Sequence, residues 1–348
     1  ERLVGFPGLR VVGPTAVAPS GAEVAARRLG ARFVLEGTVT VTDEAACLEA
    51  VLTDAASGDV AWRVVERLAP ADLDAAHIEE PWAAGIAAQI GDATGVIFRR
   101  ALANRDRPSS AVYAARLAYN DYLIKATAES IVTAAEALDL ALQEGPRAEL
   151  LALRGSLHNA EVNQGASGRD RDHELSCAER LGREALALEP DNPVAHLVLA
   201  GTAWQRQEWD PARRHATRAA ELAPWNPSVL MSAGTVMAVA GDWSGGVQTL
   251  RKGFRLNPLH PGVAHAIPAL ACLIAGDDAG ALAEASLVHA PGQWWGPLYR
   301  ALALAALGYQ DQASVEMAQV LELEPGFLDD PAAHLTRGAR FSDRELDT

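Results

Sequence analysis

Cys272 and His265 lie seven residues apart in what reads as one helix, hence on one face, and a thiol beside an imidazole base is a minimal nucleophilic pair. Both fall in an Ala-rich stretch with the composition of a packing helix, so the pair reads as structural. His173 beside Glu174, and His77 with Glu79 and Glu80, are the nearest approaches to metal-ligand clusters. A carboxylate run at a helix start is more often a solvated match to the helix dipole than a ligand set. The chain carries no P-loop, no GxGxxG after a strand, no HExxH and no GxSxG. No catalytic, cofactor or metal site is therefore expected, and the chain is expected not to be an enzyme.

The aromatic residues say more. Trp209 and Trp243 recur at a regular spacing, which points to packing at a turn, and Trp62 falls in a strand and reads as core. Trp294 and Trp295 stand side by side at a helix start, where neighbours cannot both face one core. One of them is expected to reach a contact surface.

Across the whole chain, 45 acidic against 30 basic residues give a formal charge of −15. Such a field repels phosphate backbones, so nucleic-acid binding through this segment is disfavoured. Cys47, Cys177 and Cys272 are scattered and odd in number, which argues against a disulfide framework. No apolar run approaches the roughly 18 to 20 residues that cross a bilayer. The absence of an initiating Met, and an opening that reads as a helix end running into a strand, lead to the expectation of a further portion upstream. A cytoplasmic location is expected, or a periplasmic one if a membrane span precedes Glu1.

Strand signals are confined to residues 1–104. Leu9 to Val12 reads as a strand, Ser20 and Glu23 as the capping box of a short helix, and Gly165 to His173 as a flexible insertion. Arg32 to Thr42 alternates, with Phe33, Leu35, Val39 and Val41 on one side, as a half-buried strand does. Asp43-Glu44 marks a turn, Leu48, Ala50 and Leu52 a second strand, and Asp54 to Asp59 a turn leading to Val60, Trp62 and Val64. Trp82, Ile86, Ile90, Ile97 and Phe98 then have the helical spacing that covers a sheet face.

Residues 105–348 read as helical throughout, regular from 174 to 325. Pro190, Pro224 and Pro258 lie 34 apart, Pro291 follows at 33 and Pro325 at 34, each closing an apolar helix. Pro193, Pro227 and Pro261 suit the first turn of the next helix. Midway, Gly241, Gly276 and Gly308 mark bends, and small residues such as Ala233, Gly234, Gly246 and Gly253 fall where two helices would cross. Pro268 inside a first helix, and Arg300 at a usually apolar place, depart from the pattern.

This spacing resembles the tetratricopeptide repeat. With the strands of residues 1–104 this gives an α+β chain, a small α/β domain with antiparallel strands, followed by what the resemblance implies, an all-α right-handed solenoid. The resemblance also implies that the first helix of each repeat faces a concave groove. On the positions matching that face, the groove would be lined by Leu197, Trp204 and Gln205 in one repeat and by Met231, Thr235 and Val239 in the next. His265, Cys272 and Leu273 follow, and then Trp295, Leu298 and Leu302. Such a surface is apolar and lacks the Lys and Arg that clamp an acidic peptide end. It suits an amphipathic helix, an apolar segment of the same chain or a small apolar ligand, and the C-terminal residues 329–348 or self-association into a homo-oligomer are alternative occupants.

The run Ala31-Arg32-Phe33-Val34-Leu35-Glu36-Gly37-Thr38-Val39, with Asp54-Ala55-Ala56-Ser57-Gly58 and Trp62, resembles the domain akin to the TolB N-terminal region. That domain precedes tetratricopeptide arrays in bacterial adenylate cyclases and winged-helix transcription factors. The resemblance implies a sensory and protein-interaction module, serving a protein or peptide partner or an effector domain of its own chain. A free-standing scaffold is the alternative.

Overall fold

The computed structural model describes residues 29–42, 45–68, 75–104, 110–164 and 170–341, together with 3, 6, 9, 11 and 12. They form two compact units, one of residues 1–108 with 255–259, the other of 109–254 with 260–348.

In the first unit, β1 (Phe33–Val41), β2 (Ala46–Asp54) and β3 (Val60–Leu68) pair antiparallel in the order β1-β2-β3. The period-two pattern of β2 places Ala46, Leu48, Ala50 and Leu52 on its buried face. Helices α1 (Ala75–Gly91) and α2 (Val96–Ala103) contribute Ile90 and Phe98, both deeply buried. The turn between β2 and β3 is held by Asp54, whose side chain accepts from the Ala56 amide at 3.0 Å. Its buried carboxylate is paired with Arg32 at 3.4 Å and Arg100 at 3.6 Å, which meets the requirement that a buried charge be compensated. Between α1 and α2, the Thr94 hydroxyl donates to Asp92 Oδ2 at 2.9 Å, and Asn257 Nδ2, from the segment grouped with this unit, donates to the same oxygen at 2.9 Å.

Three expectations change here. Strand β1 is not half-buried. It is the edge of the sheet, and Val39 and Val41 are 59% and 67% exposed, so the apolar alternation there does not mark a covered face. Leu9, Val11 and Val12 are not in a strand. Trp62, opposite Leu52, is half-buried. The expected capping box at Ser20 and Glu23 and the turn at Asp43-Glu44 lie outside the described residues.

The second unit is a succession of antiparallel helical hairpins. Two come first: α3 (Ala111–Lys125) with α4 (Ala128–Leu142), and α5 (Ala148–Gln164) with α6 (Arg171–Leu188). Four regular ones follow: α7 (Pro193–Gln205) with α8 (Trp209–Leu222), α9 (Pro227–Val239) with α10 (Trp243–Leu256), α11 (Ala266–Ala275) with α12 (Asp278–Leu287), and α13 (Trp295–Ala306) with α14 (Gln310–Leu323). A 3-10 turn at Phe327–Asp329 leads to α15 (Pro331–Gly338). The two helices of each hairpin pack on each other, and first helices also pack on one another, as α5 does on α7 and α7 on α9. Asp170 caps α6 through the His173 amide, so residues 171 to 173 are helical rather than part of an insertion.

The repeated start of a hairpin has a local cause. Asn192 and Asn226 each accept from an amide three residues on, at 2.9 and 3.1 Å, and proline follows at the first helical position, where no amide bond is lost. Gly241, Gly276 and Gly308 end first helices with φ of 97°, 73° and 87°. Gln207 takes the same place in the first regular hairpin at φ 59°, a conformation that favours glycine. Pro268 does not interrupt a helix: the chain forms a 3-10 turn at Gly262–His265 and restarts as α11 two residues before it. Proline in a first turn costs no hydrogen bond.

Where α9 and α10 cross, the backbones nearly touch. A Cβ added at Gly234 would lie 2.6 Å from the Gly246 carbonyl, and one at Gly246 would lie 2.6 Å from the Gly234 carbonyl. The small residues noted in the sequence thus mark a helix crossing.

Candidate interaction surface

Of the twelve positions matched to the inner face, all but Leu302 fall into three overlapping groups. The first is core. Leu298 is 1% exposed and packs with Val320 and Phe327, so it offers nothing to a partner. Its neighbours come from the paired helix α14 and the 3-10 turn beyond it, elements the spacing within α13 alone does not locate. Met231 and Val239 are also buried, and Leu197 packs against the Ala200, Ala233 and Val236 core with Trp204.

The second group is tied to polar partners. Gln205 Nε2 donates to the Asn159 carbonyl at 3.0 Å, while its Oε1 is buried without a hydrogen-bond partner among the described residues. Asn159 in turn donates to the Val198 carbonyl and accepts from Thr202, both buried. Thr235 returns a bond to its own helix at the Met231 carbonyl. His265 Nδ1 lies 2.6 Å from Glu284 and its Nε2 3.0 Å from that of His260, whose ring stacks on Phe254. His265 therefore faces a carboxylate and a second imidazole. The Cys272 thiol is pushed above its ordinary value by burial and then by the negative charges of Asp277 and Glu284, which disfavours the thiolate a nucleophile needs.

The third group meets the C-terminal segment. Trp204 Nε1 donates to the Gly338 carbonyl at 2.7 Å, and the Val239 carbonyl accepts from the Arg340 amide at 2.7 Å. Leu273 and Trp295 pack on the Ala266, Ala269 and Tyr299 core, and Phe341 joins them there. Phe341 also stacks on Trp243, with ring centroids 5.7 Å apart. Leu302 stands apart, 40% exposed. Trp294 and Trp295 both turn inward, against different cores: Trp294 toward Phe327 and His334, Trp295 toward Tyr299. The adjacent pair straddles two clusters.

Other titratable groups have settled elsewhere. Glu174, expected to be solvated, is buried and lies 2.5 Å from His158 Nδ1, and burial holds His158 below its usual value. Nothing in the spacing of His158 foretold this, because its partner comes from another helix. His173 lies 3.6 Å from Cys177 Sγ, and the side chains of His77, Glu79 and Glu80 are outside the described ones. Among the described residues no three His, Cys, Asp or Glu side chains converge as metal ligands would, and no helix is long and apolar enough to cross a membrane.

No family model and no curated protein matches the sequence. Among solved structures, the chain is similar to TTC0263, a thermophilic TPR protein of Thermus thermophilus, at 18% identity and a TM-score of 0.40, over 61% of this chain and 99% of that one. It is also similar to MamA MSR-1 C2, at 22% identity and a TM-score of 0.31, over 51% and 94% of the two chains. The tetratricopeptide-type architecture of this chain stands on its own hairpins, with Asn-Pro helix starts at 192–193 and 226–227 and left-handed bends at Gln207, Gly241, Gly276 and Gly308.

Proposed function

We propose that the chain is a non-catalytic protein-interaction module whose helical array receives an extended segment of a partner. The observation that supports this reading is that a peptide already lies on the surface in question. The backbone at Gly338 and Arg340 bonds to Trp204 and Val239, positions matched to the inner face from two successive hairpins. A surface that pairs with backbone groups and stacks an aromatic side chain has the features of peptide recognition. The titratable clusters contribute to packing: His158 with Glu174 and His265 with Glu284 join neighbouring helices.

In the finer form of this reading, the module belongs to a bacterial signalling or transcriptional regulator. Support comes from the first unit, where the antiparallel meander β1-β2-β3 and the Asp54–Asp59 turn are the features on which the resemblance to the TolB N-terminal region rests.

The test is site-specific photo-crosslinking in cells, with p-benzoylphenylalanine at exposed Leu302 on α13 or at exposed Val315 on α14. One identified protein captured from Leu302 and not from Val315 is expected. Equal capture from both, or none from Leu302, refutes the reading.

A further inference from the structure

The end of α15 is built differently from the rest of the array. After the helix, Ala339 is extended, with φ −148° and ψ 153°, and the chain continues through Arg340 and Phe341. Four contacts fix this short stretch. The Gly338 carbonyl accepts from the Trp204 indole, and the Arg340 amide donates to the Val239 carbonyl. Val239 is the last residue of α9, and its carbonyl is one of those a helix end leaves without an internal partner. The Phe341 ring lies on Trp243, and the Arg340 guanidinium is 3.8 Å from the Asp210 carboxylate. Ala339 between them is only 5% exposed, so the strip admits a small side chain there.

Two of these contacts use backbone alone and accept any sequence. The other two select a basic residue beside Asp210 and then an aromatic one on Trp243, and the burial of Ala339 before them selects a small one. The ion pair is half exposed on both sides, and the hydrogen bonds and the ring stack are each individually weak. A segment held this way is displaceable by another with the same three residues. The acidic charge of the whole chain would draw a basic segment toward it.

We propose that the strip from Trp204 across Val239 to Trp243 docks a partner segment carrying a small–basic–aromatic triplet in extended conformation, and that Ala339-Arg340-Phe341 occupies it as an exchangeable competitor. This rests on the reading of the array as an interaction module and names the chemistry of what it takes. In the free chain the tail screens the strip; a partner presenting the triplet at sufficient concentration replaces it.

The test uses the full chain with Arg340→Glu and Phe341→Ala together, and a fluorescein-labelled synthetic peptide of residues 331–348 read by anisotropy. The double variant is expected to bind the peptide at least roughly tenfold tighter than the parent chain does, because its own tail no longer competes. Placing Phe341→Ala or Arg340→Glu in the peptide is expected to weaken binding by about tenfold or more, and Asp210→Arg in the double variant to recover the Arg340→Glu peptide. Equal binding by parent and variant, no binding by either, or indifference to Phe341→Ala in the peptide overturns the proposal. A second measurement needs no variant: the Arg340 amide of the parent chain should exchange with solvent far faster than that of core Val198, and faster still with the peptide present. An Arg340 amide as protected as the core overturns exchangeability. Capture from Leu302 without peptide selectivity retains the interaction module and discards the triplet, whereas peptide selectivity without capture retains the triplet and discards the cellular partner.

Discussion

Gly246→Ala tests whether the α9–α10 crossing sets the spacing of the array. The added Cβ would lie 2.5 Å from the Ala238 amide nitrogen, 2.6 Å from the Gly234 carbonyl and 2.7 Å from Ala238 Cβ. The first two are backbone atoms and cannot rotate aside. Ordinary contact begins at 3.4 Å, so the helices must part by about 0.9 Å, the difference between 3.4 and 2.5. Leu250 and Ala238 sit at this crossing fully buried and lose contact as it opens. Overpacking of this kind costs about 1–3 kcal/mol. Replacing glycine inside a helix gives back up to about 1 kcal/mol. The net loss is of order 1–2 kcal/mol, which for a unit of this size lowers the melting midpoint by roughly 2–8 °C. Gly296→Ala is the control, since its Cβ meets only Val288 Cγ1 at 3.4 Å, and its midpoint should hold or rise. Thermal denaturation followed by circular dichroism reads both. A Gly246→Ala chain that melts at or above the parent would refute the argument, and an equal fall in both variants would show that the crossing is not the cause.

Gln207→Gly should stabilise the chain by up to about 1 kcal/mol, because it relieves a left-handed side-chain residue at a bend where three sister hairpins carry glycine, as a urea midpoint would report. Stability should also fall as pH drops below 6.5. Burial holds His158, His196 and His215 below that ordinary value, so the unfolded chain binds more protons than the folded one from 6.5 down to the lowered values. Replacing His196 and His215, whose Nδ1 atoms are 3.0 Å apart, with glutamine should flatten this slope between about pH 7.5 and 5.5 in urea titrations. Glu149, raised by burial, acts with the opposite sign only above pH 4.5, in the window that separates its ordinary and folded values.

Local rules wrote the parts of the fold that the sequence displayed. The Asn-Pro starts, the bend glycines and the period-two alternation of β2 act within a few residues, and each was readable where it stands. What escaped depends on partners distant in sequence. Spacing alone puts Leu298 in the groove, yet Val320 and Phe327 cover it, and alternation alone makes β1 half-buried, yet Val39 and Val41 are exposed. Pro268 falls in the first turn of α11 rather than inside a longer helix because a 3-10 turn absorbs the residues before it, and such a turn leaves no periodicity of its own. The pairing of Glu174 with His158 joins two helices across 16 residues, beyond any helical spacing rule. Residues 329–348 were among the occupants the apolar face suggested, but the order of contacts from Gly338 to Phe341 follows from the path of the chain.

The bond from Trp204 to Gly338 also bears on how the chain assembles. The two residues are 134 apart in sequence, whereas each hairpin closes over a few tens of residues. Local hairpins can form as soon as their residues are available, and this bond can close only after every hairpin between its ends has stacked. A linear stack would fray from its last hairpin. Here Leu335 is packed at that last hairpin while Gly338 bonds to the first regular one, so the docked tail ties the two ends together, and a segment that displaces it would return the array to a linear stack that frays from its last hairpin.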